Sequence, residues 1–432
     1  MGMARLLIQG GHVISPDDAV DANLDILIED GVIREIAPRL AALADETLDA
    51  RGQIVSPGFV DLHVHLREPG GEVSETLESG LAAAVAGGFT AVCPMPNTQP
   101  VNDRPEATRA MIEKAARIGL ARIFPIAAVS VGSQGETLTD FRALTEAGAI
   151  AFSDDGQPVK TAGLMRGAMQ AARGLGIPVI DHCEDPSLTA GGAINEGPVA
   201  ERLVVKGIPN SSEDVCVARD VVLAEATGAH LHIAHLSTAG AMEMVRLAKR
   251  RGVRVTCEVT PHHFTLTDEA VGRYGTHAKM NPPLRSARDV EAVVAGLADS
   301  TIDAIATDHA PHAPEFKQRP LAEAPFGVIG LETALALALT QLVYTGRISL
   351  WRMVSLLSSR PASIIRRATS PTLGRLEAGG AADITVFDPD HEWTYHAARG
   401  RSQSRNSPFD GWRLKGAVTA TIVAGKIVYR RV

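Results

Sequence analysis

Aromatic side chains are scarce in this sequence: Trp, Tyr and Phe make up only 4% of its 432 residues. A core built almost without them must rest on Ala, Val, Leu and Ile, which suits packed layers of strands and helices. Cysteine is scarcer still. Cys93, Cys183, Cys216 and Cys257 lie far apart and form no CxxC pair. That excludes a disulfide framework, fits a reducing cytosol, and leaves the four thiols as inert core residues. No apolar run reaches the roughly 18 residues that a membrane-spanning helix needs, and the richest, around 334–339, reads as a buried helix. The opening MGMARLLIQGGHVISPDD has too short an apolar stretch for a signal peptide, so a cytoplasmic location is expected. No basic block is present and the net charge is −8. A nucleic-acid backbone is therefore excluded as the main partner, and a membrane with it. A hydrophobic content of 45% and a charged content of 21% exclude wholesale disorder. Small molecules or proteins remain as partners.

At about 150 residues per domain this length predicts two or three domains, although one closed barrel absorbs 250 or more. Residues 4–9, 24–37 and 54–60 read as short strands broken by Gly and Asp turns, and 382–387 and 418–429 repeat that style. The two ends are best joined into one small β domain, a sandwich formed by residues 1–55 and 371–432. Between them, over 56–370, an apolar β-branched run followed by a helical stretch recurs eight times. The runs lie near 60–65, 89–95, 123–129, 149–153, 177–182, 230–235, 253–259 and 301–308. Helical stretches such as 75–86, 105–118 and 164–175 separate them, most ending at a glycine. Strict alternation predicts a parallel sheet, and a count of eight predicts a (β/α)8 TIM barrel. An open doubly wound sheet is the alternative, but no GxGxxG follows the first strand.

A barrel enzyme carries its chemistry at the C-terminal ends of its strands. Here those ends read His63 and His65, Asn97, Asp154–Asp155, His182, His235 and Asp308. His63 and His65 are two apart on a strand and project from one face. Paired imidazoles in a barrel mouth pack poorly and bind a borderline cation such as Zn²⁺ well. With His182, His235 and Asp308 on three further strand ends, a metal site is predicted over satisfied core histidines. His230 and His232 have the opposite parity from His235 and read as structural. His262 and His263 suit packing or support, whereas His12, His277, His391 and His396 read as surface residues.

DLHVHLREPG (61–70) is the stretch at which the chain resembles a known family. With PMPNT (94–98), FSDDGQPV (152–159), HCED (182–185), HIAHLST (232–238), KMNPPLR (279–285), ATDHAPH (306–312) and SRNSPFDGW (404–412), it is similar to the long bacterial dihydroorotases of the amidohydrolase superfamily. The resemblance implies two Zn²⁺ per chain. His63, His65 and Asp308 would hold one and His182 and His235 the other, with Asp155 as the bridge. Strand parity alone leaves Asp154 and Asp155 open. Most superfamily members bridge with a carbamylated lysine, but strand 4 here has none, and Lys160 lies too far along. The resemblance further implies Arg67, Asn97 and His312 on a substrate carboxylate, His65 and Asn281 against the substrate, and the Phe326–Gly327 backbone on the ring amides. Asp308 would act as general base and then acid as N-carbamoyl-L-aspartate and L-dihydroorotate interconvert in pyrimidine (UMP) biosynthesis. Arg67 fits its role physically, because a planar guanidinium binds a carboxylate bidentately.

The proline-rich stretch 309–326 shows little periodicity and reads as a lid. A homo-oligomer is expected, with association with aspartate transcarbamoylase as a further partner. Two rival readings stand beside this one. A hydantoinase, dihydropyrimidinase or allantoinase would have no need of the Arg67–Asn97–His312 trio. A non-catalytic subunit scaffolding the transcarbamoylase would be expected to have lost ligands, yet all six positions are filled.

Overall fold

The computed structural model describes residues 5–365, 369 and 371–431. Residue 4, where the first strand is expected to open, and residue 370, where the barrel is expected to end, lie outside the described residues. The eight expected barrel strands form at Phe59–Val64 (β1), Phe89–Pro94 (β2), two pieces at Arg122–Ile123 and Ile126–Ala127 (β3), Ala151–Phe152 (β4), Val179–Asp181 (β5), Leu231–Ile233 (β6), Val255–Val259 (β7) and Ala304–Ile305 (β8). Each pairs in parallel with the next in sequence. The ring closes where Val64 bridges His309 in parallel and His65 N donates to His309 O at 2.8 Å. This is the TIM-barrel fold.

Capping residues explain where the intervening helices begin. The stretch 75–86 becomes a helix only over Leu77–Ala86, because Thr76 is its N-cap, with its hydroxyl accepting from Ser79 N. Glu75 is instead drawn inward, where Gln403 N donates to it at 2.9 Å. The helix expected at 164–175 starts earlier, at Ala162, since the Thr161 hydroxyl accepts from Leu164 N. The helices Pro105–Ile118 and Ala162–Leu175 end at Gly119 and Gly176, both with left-handed backbone.

The terminal strands form one hydrogen-bonded network of eight strands. Strands Arg5–Ser15, Val20–Glu29, Val32–Ala37, Glu46–Asp49 and Ile54–Pro57 come from the start of the chain. Strands Ile384–Thr394, Arg413–Val423 and Lys426–Arg430 come from its end. The two groups join where Val55 pairs with Val386 and Pro57 with Ile384. Ile8, Val13, Ile26 and Ile28 share one apolar core with Ile384, Val386 and Ile422, so the sheet folds round side chains from both ends of the chain. Phe59 joins this layer to the barrel, its ring 5.9 Å from that of Phe89 and 6.1 Å from that of Phe387. Residues 402–406 leave the sheet and return to the barrel: Ser404 Oγ donates to Ser74 O and Asn406 Nδ2 to Ala310 O. Among the described residues, no helix is long and apolar enough to cross a membrane.

Candidate metal centre and substrate pocket

The strand ends of the barrel bring six polar groups to one point. His63 Nε2 lies 3.5 Å from Asp155 Oδ2 and 3.5 Å from Asp308 Oδ1. His65 Nε2 lies 3.0 Å from Asp308 Oδ1 and 3.5 Å from Asp155 Oδ2. On the other side of the same carboxylate, His182 Nδ1 and His235 Nε2 each lie 3.4 Å from Asp155 Oδ1, and 2.9 Å from one another. Tetrahedral Zn²⁺ with bonds of about 2.0–2.1 Å sets its ligand atoms about 3.3 Å apart. Spacings of this size suit ligands of a divalent cation, which these histidines and carboxylates would hold. Asp154 points elsewhere, its carboxylate accepting from Ser130 N at 3.0 Å and from the Ser130 hydroxyl at 2.5 Å.

In three of the four rings the far side sets the proton. His63 Nδ1 donates to Glu258 Oε1 at 2.8 Å, His65 Nδ1 to Asn97 Oδ1 at 3.0 Å, and His182 Nε2 to Glu184 Oε2 at 3.2 Å. A ring that donates from one nitrogen presents a bare lone pair on the other, the arrangement a metal ligand needs. His63 Nε2 is buried and has no hydrogen-bond partner, nor has His235 Nδ1. Burial opposes a charge on His63, but Asp155 and Asp308 outweigh it and raise its proton affinity well above that of an ordinary imidazole. The centre is therefore built to hold positive charge at Nε2. Although burial pushes the Glu258 carboxyl up, hydrogen bonds from His232 and His63 bring it down to about 2.

A cavity of about 280 Å³ opens over this centre, lined by His65, Arg67, Asn97, Asp155, His182, His235, Asn281, Asp308, His312, Phe326 and Gly327. Every residue expected to touch metal or substrate lines it except His63, which lies beneath. Arg67 Nε donates to Pro311 O at 3.1 Å, and burial lowers its guanidinium to about 10. His312 Nε2 donates to Phe326 O at 2.7 Å. Burial first, and Arg67 second, push His312 down to about 3, so it acts as a neutral donor. Asn97 and Asn281 each spend part of their amide on the metal side: Asn97 Oδ1 on His65, Asn281 Nδ2 on Glu184 Oε2 at 2.6 Å. Arg67, His235 and Asp308 have left-handed φ values of 61°, 32° and 44°, so backbone strain gathers at the centre.

Two larger hollows, of about 520 and 530 Å³, lie elsewhere and bring no such ligand set together. A second group of four potential ligands, Asp181, Cys183, Cys216 and Asp220, is buried on the outer face of β5. Arg219 stands among them, its Nη2 3.2 Å from Asp181 Oδ2 and its Nε 2.6 Å from Asp220 Oδ1, while burial and the neighbouring Asp220 hold the Asp181 carboxyl well above its ordinary range.

Sequence reasoning missed Glu258 and Glu184. Glu258 is a lone acid in the apolar β7 run, and only the ring closure shows that it faces His63. Glu184 follows His182 in HCED by two residues, just past the end of β5, and only the fold shows its Oε2 3.2 Å from His182 Nε2. His232 proves structural, its Nε2 lying 3.1 Å from Glu258 Oε2.

A closed barrel with imidazoles and carboxylates converging at its C-terminal mouth defines a metal-dependent amidohydrolase. A family model described as dihydro-orotase-like matches residues 52–241. The dihydroorotase of Citrifermentans bemidjiense is 52% identical over 427 residues, covering 99% of this chain and 100% of its own length. That of Geobacter metallireducens is 51% identical over 428 residues, with 99% and 100% covered. Among solved structures, the L-hydantoinase (dihydropyrimidinase) of Arthrobacter aurescens superposes with a TM-score of 0.89 at 26% identity, covering 99% of this chain and 96% of that one. The chain belongs to the dihydroorotase family.

Proposed function

We propose that this chain is a dihydroorotase, interconverting N-carbamoyl-L-aspartate and L-dihydroorotate in pyrimidine synthesis with two Zn²⁺ bound. The single observation that carries the reading is the placing of Arg67 and His312 on the wall of a pocket whose floor is the His63–His65–Asp155–His182–His235–Asp308 cluster. Divalent cations, which His63, His65, Asp155, His182, His235 and Asp308 would hold, would supply Lewis acidity toward water and the ring carbonyl. The protein's own residues do the rest. Arg67 fixes the carboxylate beside the ring amide as a two-pronged donor, with the side chains of Asn97 and His312 alongside. Asn281 and the Phe326–Gly327 main chain border the ring. In hydrolysis Asp308, at the cluster's edge, takes a proton from the attacking water and gives it to the departing ring nitrogen. In cyclisation it takes a proton from the attacking nitrogen and returns it to the departing hydroxide, and because loss of one substrate carboxylate consumes a further proton from solution, synthesis gains as pH falls.

Asp155 supports assembly without CO₂, because a carboxylate is anionic without modification. Hydantoinases share the fold at 26% identity, but the carboxylate grip favours a ring that carries a carboxylate. The homo-oligomer and the association with aspartate transcarbamoylase belong to this proposal, and the solution mass of the chain alone and of the mixture tests both. The function itself is tested by metal analysis of the purified chain and parallel assays on dihydroorotate, dihydrouracil and hydantoin. About two zinc ions and turnover of dihydroorotate alone are expected. Efficient turnover of hydantoin, or full activity without a bound transition metal, overturns the reading.

A further inference from the structure

The stretch after the short helix Pro314–Lys317 is almost devoid of regular structure, yet it carries Phe326 and Gly327 to the pocket wall. Two lysines hold it from beneath. Lys279 Nζ donates to the carbonyls of Leu321 at 2.7 Å, Ala322 at 3.2 Å and Ala324 at 2.6 Å. Lys317 Nζ donates to those of Pro325 at 2.9 Å and Gly327 at 3.0 Å, and to Lys279 O at 3.5 Å. The two side chains belong to residues only 2% and 3% exposed. Among the described residues, neither ammonium pairs with a carboxylate. An unpaired buried ammonium is costly, and it is tolerated here because each of its three donors meets a carbonyl. Lys279 Nζ also stands 4.5 Å from the centre of the Phe326 ring, and Gly327 N donates to Lys279 O at 2.9 Å. Asn406, from the returning C-terminal segment, completes the hold: Nδ2 donates to Gly327 O at 3.0 Å and Oδ1 accepts from His312 N at 3.0 Å.

We propose that Lys279 and Lys317 are positioning residues that fix the main chain at Phe326–Gly327 against the pocket before substrate arrives, which makes this stretch a prebuilt wall and not a lid. The inference rests on the dihydroorotase reading for its substrate alone. Burial, Lys279 and Arg67 press the Lys317 ammonium down to about 7, so its charge is held only at some cost. A substrate carboxylate docked on Arg67 adds a counter-charge on that side and favours keeping it.

Hydrogen exchange on the metal-replete wild type, with and without dihydroorotate, tests the wall directly. The amides of Glu323, Ala324 and Gly327, bonded to Pro320 O and Lys279 O, are expected to be protected already in the free protein. Exchange of this stretch at unstructured-peptide rates until dihydroorotate is added overturns the proposal. Lys317→Met and Lys279→Met provide the kinetic arm, with metal content and Tm measured alongside. Each is expected to raise the KM for dihydroorotate about tenfold or more while kcat changes far less, because the wall is displaced and the metal cluster is not. A folded, metal-replete Lys317→Met with wild-type KM also overturns it. Failure of the wild type to turn over dihydroorotate would instead strike the functional reading, and the exchange result on the free protein would still decide the wall.

Discussion

Glu258 offers the sharpest test of how the centre selects its protonation state. Its carboxylate is fully buried and accepts from His63 Nδ1 at 2.8 Å and His232 Nε2 at 3.1 Å. Glu258→Gln leaves one acceptor oxygen. The structure absorbs this on one side only: His232 Nδ1 lies 2.8 Å from Thr256 Oγ1, so His232 can move its proton there and accept from the new amide. His63 cannot move its proton to Nε2 without giving up the lone pair aimed at the metal. The amide oxygen of the variant should therefore stay with His63, as a neutral bond about half as strong as the charged one. Metal affinity should fall about tenfold, or about 1.4 kcal/mol. Glu258→Leu removes both acceptors and strands two buried ring nitrogens at about 1–3 kcal/mol each. Its metal affinity should fall about 100-fold or more, with a marked loss of Tm. Chelator competition at fixed pH, read with Tm, separates the two variants. Wild-type zinc affinity in a folded Glu258→Leu would refute the reasoning.

Arg67→Met should keep about two metals yet lower kcat/KM for dihydroorotate about 30-fold or more, while any slow turnover of dihydrouracil stays unchanged. Asp155→Ala should lose metal and activity together. Asp154→Ala should keep about two metals and lose only about 1–3 kcal/mol of stability from its stranded Ser130 partner, as metal analysis and denaturant titration would show. His312 is pressed from the ordinary 6.5 to about 3, so on acidification the unfolded chain takes up a proton that the folded one refuses. Stability is lost as pH falls from 6.5, and His312→Gln should flatten that part of the Tm-against-pH curve; an unchanged slope would remove His312 as its cause. Gly327 has φ +149°, and a Cβ there would stand 2.6 Å from Ala310 O. Gly327→Ala should therefore raise KM sharply, as steady-state kinetics would reveal.

The barrel was legible because its strands are β-branched runs, six of the eight ending in metal-binding or amide side chains. Those ends told where the mouth lies even though β4 and β8 keep only two ladder residues each. Asp155 and Asp154 could not be told apart by parity, since the chain leaves the strand before either. Supporting groups were illegible for a different reason. Glu258, Lys279 and Lys317 are charged residues whose ordinary place is the surface, and nothing local marks them as buried. Their partners lie across the barrel or in loop carbonyls, which only the closed fold brings near. The return of Ser404 and Asn406 to the barrel was hidden in the same way.

The sheet built from both termini has a consequence for how the chain reaches its native state. Ser56 and Thr385, neighbours across the join, are separated by 329 residues. At about 5–20 residues per second, synthesis leaves strand Ile54–Pro57 without its partner from the chain's end for roughly 15–65 s after it emerges. For that interval Ile8, Val13, Ile26 and Ile28 lack the half of their core that Ile384, Val386 and Ile422 supply, and the edge of Ile54–Pro57 is open to pairing with another chain. All eight barrel strands, which end at Ile305, are made before the strand Ile384–Thr394 that completes the sheet. The ordering that joins early and late strands in the mature protein leaves the nascent one with an open sheet edge until the later strands arrive.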